Sequence, residues 1–430
     1  MLFTFIIPIY NSLTEVTSLL EKISSLTKEL DCEVLIVDDC SHDGTYELLA
    51  TGINGRQNVK LFRAPANSGP GNARNIGLSM ALGKYIVFID SDDELNFIDN
   101  IGTNPEFLTL HNHEAIDVIC MECNNPARMN DPKSTLPLIS DMDGGSNVRS
   151  NISYENFPAK ECWGVIFSAD FLKVNKIVFP CLMLAEDQLF MVRVRLKLRS
   201  IARTRLFSYT HTGSSSGLAT RFEKRGLSDY SEIIQIVINI ANTESGSNLD
   251  FLVVKLREML EIFFWFSIAF YKDNSRKEIN MVFNIINDTN SVLELKKISP
   301  FTSLKELVSF RQLIFDFIKT KSGGLDLYCL SNIAMSVACI SERLKVPVIN
   351  IVDDARVKQA QVGSLKFGGQ LQDLSSYDKG DFKANHTVLI CHYNKGVVRN
   401  IFLKLRDKLG VDPKQIFALS DFNSSPYLVK

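Results

Sequence analysis

The chain has 430 residues, 45% of them hydrophobic, and its 47 Lys and Arg against 49 Asp and Glu leave a net charge of −2. That length corresponds to roughly three domains of ~150 residues, and the balanced charge, with no long run of one sign, excludes a nucleic-acid-tracking surface and a disordered chain. Nine cysteines without regular spacing, behind an apolar N-terminus that carries no basic leader, predict reduced thiols and a cytoplasmic location.

Residues 3–9 form a short apolar run without alternation, the pattern of a strand covered on both faces, and the run ends in Pro8, Tyr10 and Asn11. A helical pattern follows to about Leu30. A second buried strand over 33–37 ends in Asp38 and Asp39, which are placed to accept hydrogen bonds from a base or ribose, while Ser41 or Asp43 caps the helix beginning near Thr45. Repeated strand, acid, turn and helix is the signature of βα units that deliver carboxylates to one edge of a parallel sheet.

Residues 67–77 begin with Asn67 and add Gly69 and Gly71, which let backbone approach a ligand, and Pro70, which suits a first helical turn. Arg74 puts a fixed cation near that helix N-terminus, so the natural partner is rich in phosphate. The apolar strand over 84–89 then runs directly into Asp90, Ser91, Asp92 and Asp93. Aspartates one residue apart can hold a hard divalent cation, Mn²⁺ or Mg²⁺, with a diphosphate completing its shell. Taken alone, such a motif also reads as a solvated acidic turn. At the carboxyl edge of an α/β sheet it reads as a ligand site.

FIIPIYNS, VLIVDDCSHDGT, NSGPGNARNIG and FIDSDD, in this order and spacing, resemble the nucleotide-sugar half of family 2 glycosyltransferases, which have the GT-A fold. The resemblance covers roughly the first half of the chain. It implies that Pro8 and Tyr10 border the nucleotide pocket, that Asp38 or Asp39 contacts the base, that Asp90 and Ser91 face the ribose or metal, and that Asp92 is the principal metal ligand. On the acceptor side, the segment ECWGVIFSADFLKVNKIVFPCLMLAEDQLF matches the family's aromatic followed by a Glu-Asp pair. Asp187 is thereby the expected catalytic base, Glu186 its neighbour, and Trp163 a platform for the acceptor sugar. Gly164 and Val165 depart from the Asn and Lys usual after that Trp. His211, in a polar segment that often closes over the diphosphate in this family, is an expected phosphate or metal contact.

A carboxylate base answers a chemical need, because a sugar hydroxyl is a poor nucleophile until its proton is taken. The plainer role for Glu186 and Asp187 is to start a helix and interact with its dipole, and the two roles are compatible. Cys120 and Cys123 form a single CxxC inside a strand-like run, too little for a zinc site. The apolar run 262–271 is too short to span a bilayer and reads as a buried helix.

Residues 221–320 carry helical periodicity, and 321–430 return to strand and helix alternation. That tail resembles the small Rossmann-like domain of some sugar-processing proteins, with Asp353 and Asp354 at a strand end. Its first turn, Cys329, Leu330, Ser331 and Asn332, lacks the glycines a pyrophosphate needs, which favours a scaffold or assembly role. The expectation is therefore an α/β protein with a GT-A domain at 1–220, a helical linker domain at 221–320 and a Rossmann-like domain at 321–430. The expected activity is metal-dependent, inverting transfer from a nucleotide-diphosphate sugar, foremost a UDP-sugar, to a glycan or lipid-linked glycan. The alternative is a noncatalytic nucleotide-sugar-binding or assembly subunit. Peripheral contact with the inner membrane face and a homo-oligomer complete the expectations.

Overall fold

The computed structural model describes residues 1–112, 116–123, 136, 138–139, 157, 161–210, 226–271, 275–288, 293–299, 301–321, 323–328, 337–338, 340–341, 343–353, 370–373, 386–391, 395–408 and 411–419. The chain divides into two compact units, Met1–Ser214 and Ser215–Lys430.

The first unit opens with β1 (Phe3–Ile9), α1 (Val16–Glu29), β2 (Cys32–Asp38), α2 (Thr45–Gly52), β3 (Val59–Arg63), α3 (Pro70–Met80) and β4 (Tyr85–Phe88). All seven residues of β1 and of β2 are buried, as a strand covered on both faces requires. These four strands pair in parallel. After β4 come β5 (Glu94–Phe97), α4 (Pro105–Asn112), β6 (Val118–Cys123), β7 (Val165–Ser168), α5 (Ala169–Val174), α6 (Glu186–Lys197) and β8 (Ile201–Thr210). The sheet order is β3-β2-β1-β4-β7-β6-β8-β5. The expected α/β class is what the unit shows. Its second half is mixed, because β7 runs antiparallel to both β4 and β6. Cys120 and Cys123 lie in β6, as their strand-like flanks predicted.

The order of strand addition reverses between β1 and β4. The chain steps from β1 outward through β2 to β3, then crosses back to place β4 on the other side of β1, and ligands bind at the carboxyl ends of strands beside such a switch. An aromatic cluster fixes the height of the elements that meet there. Phe88 of β4 lies edge-on to Phe179 and Phe190 at 5.1 and 5.8 Å between centroids, and Phe190 of α6 stacks on Phe179 at 4.0 Å. The end of β4 and the start of α6 are thus packed against one hydrophobic body.

In the second unit α7 (Gly226–Ala241), α8 (Gly246–Phe270), α9 (Arg276–Asp288), α10 (Leu295–Ile298) and α11 (Leu304–Lys319) precede the strands. The run 262–271 lies mostly in α8, with Phe263, Phe264, Trp265 and Ile268 buried, and no described helix is long and apolar enough to cross a membrane. Then β9 (Leu325–Tyr328), β10 (Val348–Asp353), β11 (Gln370–Asp373), β12 (Thr387–Ile390), α12 (Lys395–Leu403) and β13 (Ile416–Ala418) follow. The strands form an all-parallel sheet in the order β11-β10-β9-β12-β13. Residues 329–332 and Asp354 lie outside the described residues, and so does the side chain of Asp353.

Candidate active site

The site assembles at the carboxyl ends of β1, β2 and β4 and at the N-terminus of α6. Pro8 is buried within β1 beside Val37, and Tyr10, half-buried, follows the strand end. Three non-glycine residues at this edge, Asn11, Cys40 and Ala185, take left-handed backbone with φ of 47°, 64° and 58°. Such conformations persist only where their surroundings impose them, and they concentrate at functional sites. Each of the three lies within two residues of a candidate site residue.

Asp38 and Asp39 are both engaged by protein. Asp38 is fully buried, accepts the Ser41 N–H at 3.1 Å and pairs with Arg63 Nε at 3.3 Å. Asp39 accepts the N–H groups of Ser68 at 3.0 Å and Gly69 at 2.7 Å, and burial pushes its carboxyl upward. It thereby pins the turn that contains Asn67 and leads into α3. Asp43 accepts the N–H of Thr45 at 3.0 Å as a cap for α2, whereas Ser41 Oγ accepts the Asn11 N–H at 2.8 Å.

The glycines and Arg74 have protein neighbours of their own. The space that Gly69 and Gly71 leave open is filled by chain: a Cβ on Gly69 would meet the Leu182 carbonyl at 2.8 Å, and one on Gly71 would meet Glu186 Cγ at 2.8 Å and the Pro180 carbonyl at 2.9 Å. The close approach serves the segment that carries Glu186. Arg74 is buried, with Nη2 bonded to Asp90 and Nη1 to Glu186, both at 2.7 Å. Its guanidinium also lies over Phe179 at 5.4 Å. The guanidinium fork joins two carboxylates that are distant in sequence.

The acidic turn after β4 divides its residues between two tasks. Asp93 is fully buried and accepts from the Tyr209 hydroxyl at 2.7 Å, and that hydroxyl accepts the Asp90 N–H at 3.2 Å. From α1, the Lys22 ammonium reaches the carbonyls of Ser91 and Asp93. Asp90, Ser91 and Asp92 remain half-buried at the edge. No group of three His, Cys, Asp or Glu that could hold a metal occurs among the described residues, and His211 lies outside them. Two carboxylates at a solvent edge fit Mg²⁺ or Mn²⁺ held jointly with phosphate oxygens and water, and do not fit a cage made by protein alone.

Glu186 and Asp187 open α6. Glu186 is buried against Arg74, and Asp187 is half-buried and accepts the Gln188 N–H at 2.8 Å. Burial, reinforced by the charge of Glu186, pushes the Asp187 carboxyl from 3.8 to about 7. A carboxylate held near neutrality is suited to take a proton at physiological pH. Trp163, expected as a sugar platform, is a core residue just before β7, 7% exposed and stacked on Tyr209 at 5.2 Å. Sequence reasoning missed Tyr209 and Lys22 as supports of that turn; only their reach across the fold reveals them.

Comparison with known proteins follows the same lines. Residues 4–100 match the family model described as Glycosyl transferase family 2. Poly(ribitol-phosphate) beta-N-acetylglucosaminyltransferase TarS of Staphylococcus aureus is 30% identical over 254 residues, 57% of this chain and 41% of that protein. Poly(ribitol-phosphate) beta-glucosyltransferase of Bacillus spizizenii is 30% identical over 221 residues, covering 50% of this chain and 32% of the relative. The chain thus matches less than half the length of these relatives. The crystal structure of S. aureus TarS superposes with a TM-score of 0.48 at 22% identity, covering 73% of this chain and 53% of that one. Residues 4–100 thus match the glycosyltransferase family 2 model, and the similarity to these relatives extends beyond that segment.

Proposed function

We propose that this chain is an inverting, metal-dependent glycosyltransferase of GT-A type that moves a sugar from a UDP-sugar to a hydroxyl of a surface glycan. The single observation that carries the reading is the Arg74 guanidinium, which bonds Asp90 of the acidic turn and Glu186, the chain neighbour of Asp187, both at 2.7 Å, and so holds the acid pair beside that turn. Asp187 takes the proton of the acceptor hydroxyl as that oxygen bonds the anomeric carbon from the face opposite the departing diphosphate. Asp92 and Asp90 would hold the cation, which when bound offsets charge growing on the leaving diphosphate. Asp39 fixes the turn beside the nucleotide, and Pro8 and Tyr10 border the base.

The relatives' names specify poly(ribitol-phosphate), so a polyol-phosphate polymer is the first acceptor to try, followed by lipid-linked glycans. Action at the cytoplasmic face of the membrane and a scaffold role for 321–430 belong to the same reading. The test is incubation of the chain with a panel of nucleotide sugars, with and without Mn²⁺, followed by release of nucleoside diphosphate. Mn²⁺-dependent turnover of one donor, lost in Asp187→Asn while UDP still binds, supports the assignment. A chain that binds no nucleotide, or turns it over equally in both forms, overturns it.

A further inference from the structure

Arg74 is placed unlike an ordinary ion-pair residue. Its two terminal nitrogens are divided between Asp90, in the acidic turn after β4, and Glu186, 112 residues later at the start of α6. Both bonds are 2.7 Å, and the side chain is 5% exposed. Its Nε is buried and has no hydrogen-bond partner among the described residues, so the guanidinium has no third acceptor to anchor it elsewhere. Only Gly at position 71 lets Glu186 approach α3 so closely. One buried cation is therefore shared between a donor-side and an acceptor-side carboxylate, and whatever changes the charge on one changes its hold on the other.

We propose that Arg74 is a positioning residue that couples occupancy of the donor-side cation site to the acceptor-side acid pair. This inference rests on the reading of Asp90 and Asp92 as the cation site. With a divalent cation held at the site, Asp90 would give up part of its charge to it, and the Arg74 guanidinium would turn wholly to Glu186. Glu186, held more tightly, stays out of the acceptor's way, and its charge weighs less on Asp187 beside it. The acceptor side is thus set for reaction only when the donor side is filled. By reciprocity of linked equilibria, the state of Glu186 must change affinity at the cation site by the same factor. Lysine could not do this, since one ammonium lacks the planar fork that serves two carboxylates at fixed geometry.

Reciprocity supplies the test, and it needs no donor sugar or acceptor. Mn²⁺ binding to the full chain is followed by loss of the free-ion paramagnetic resonance signal at fixed, saturating UDP. Glu186→Gln leaves the guanidinium to Asp90 alone and removes a negative charge. The Mn²⁺ half-saturation concentration should therefore rise at least about threefold, within the range for residues sharing one partner. In an Arg74→Met background, with no cation to redirect, the same substitution should change it by less than about twofold. Should Arg74→Met fail to fold, Arg74→Lys serves as the background: one ammonium cannot serve both carboxylates at fixed geometry, so again the effect should fall below about twofold.

A Glu186→Gln variant indistinguishable from wild type overturns the coupling. So does an equal shift in every background, which would mean simple through-space charge. Absence of any Mn²⁺-dependent UDP complex in the wild-type chain is a different failure: it removes the cation-site reading, and the coupling with it.

Discussion

Asp187→Asn should stop sugar transfer and yet make the protein more stable at alkaline pH. The carboxyl titrates at about 7 in the fold, against 3.8 for an unperturbed group, because burial and the charge of Glu186 oppose its ionisation. Folding therefore favours the protonated form. Stability from this group is complete below the unfolded value, declines as pH rises between the two, and is fully lost above about 7. Each pH unit in that window is worth about 1.4 kcal/mol, so at pH 8 the ionised aspartate destabilises the fold by up to about 4 kcal/mol, and at pH 5 by under about 2. Asparagine has nearly the same shape and cannot ionise. Thermal unfolding without metal or nucleotide should show the variant above wild type at pH 8, by up to roughly 8–16 °C for a unit of this size. The gap should narrow steadily towards pH 5. In the wild-type enzyme, kcat/KM should fall about tenfold per pH unit below the same value, since only the ionised base acts. A variant no more stable than wild type at pH 8, or a gap that does not depend on pH, would refute the placement of this group as a destabilised base.

Asp92→Asn should weaken Mn²⁺-dependent UDP binding at least tenfold in calorimetry, with little change in unfolding temperature, because the residue sits half-buried at the sheet edge. Tyr209→Phe removes a phenol that both donates to buried Asp93 and accepts from the Asp90 N–H; a loss of about 2 kcal/mol is expected in denaturant unfolding, together with weaker UDP binding. Gly71→Ala would push a methyl to 2.8 Å from Glu186 Cγ and 2.9 Å from the Pro180 carbonyl, so it should cost about 1–3 kcal/mol and reduce transfer more than nucleotide binding. Unchanged transfer in Gly71→Ala would show that Glu186 tolerates displacement.

Three strands of the first half, over 3–9, 33–37 and 84–89, were legible because each is a short apolar run ended by acids or a polar turn, and the strand over 3–9 coincides with β1; β3, with the sequence VKLFR and only its first residue buried, carries no such pattern. The mixed half was not, since nothing in residues 165–168 distinguishes a parallel from an antiparallel neighbour; only pairing of Tyr85 with Ser168 decides it. Strands β11 and β13, four and three residues long, are too brief for a pattern to register. In the site, residue types were readable and their partners were not. Arg74 was legible as a cation at a helix N-terminus, but its carboxylate partners, Asp90 and Glu186, lie on segments that local spacing cannot relate. Trp163 illustrates the same limit. An aromatic beside a candidate site suggests a sugar platform, and only the tertiary position of Tyr209 makes it core.

The arrangement around the acidic turn bears on how the chain acquires its site during synthesis. Every donor motif has been made once residue 100 has emerged, yet the pairing of Phe3 with Tyr85 already closes a long loop, and such non-local contacts form slowly. Two supports come later still: Glu186 beside Arg74 and Tyr209 beneath Asp93. A nascent chain halted near residue 100 would have to bury the guanidinium without one of its two carboxylates and the Asp93 carboxylate without the phenol. The segment matched by the family model should therefore not fold as an autonomous unit, and the site proposed here should mature only after β8 has left the ribosome.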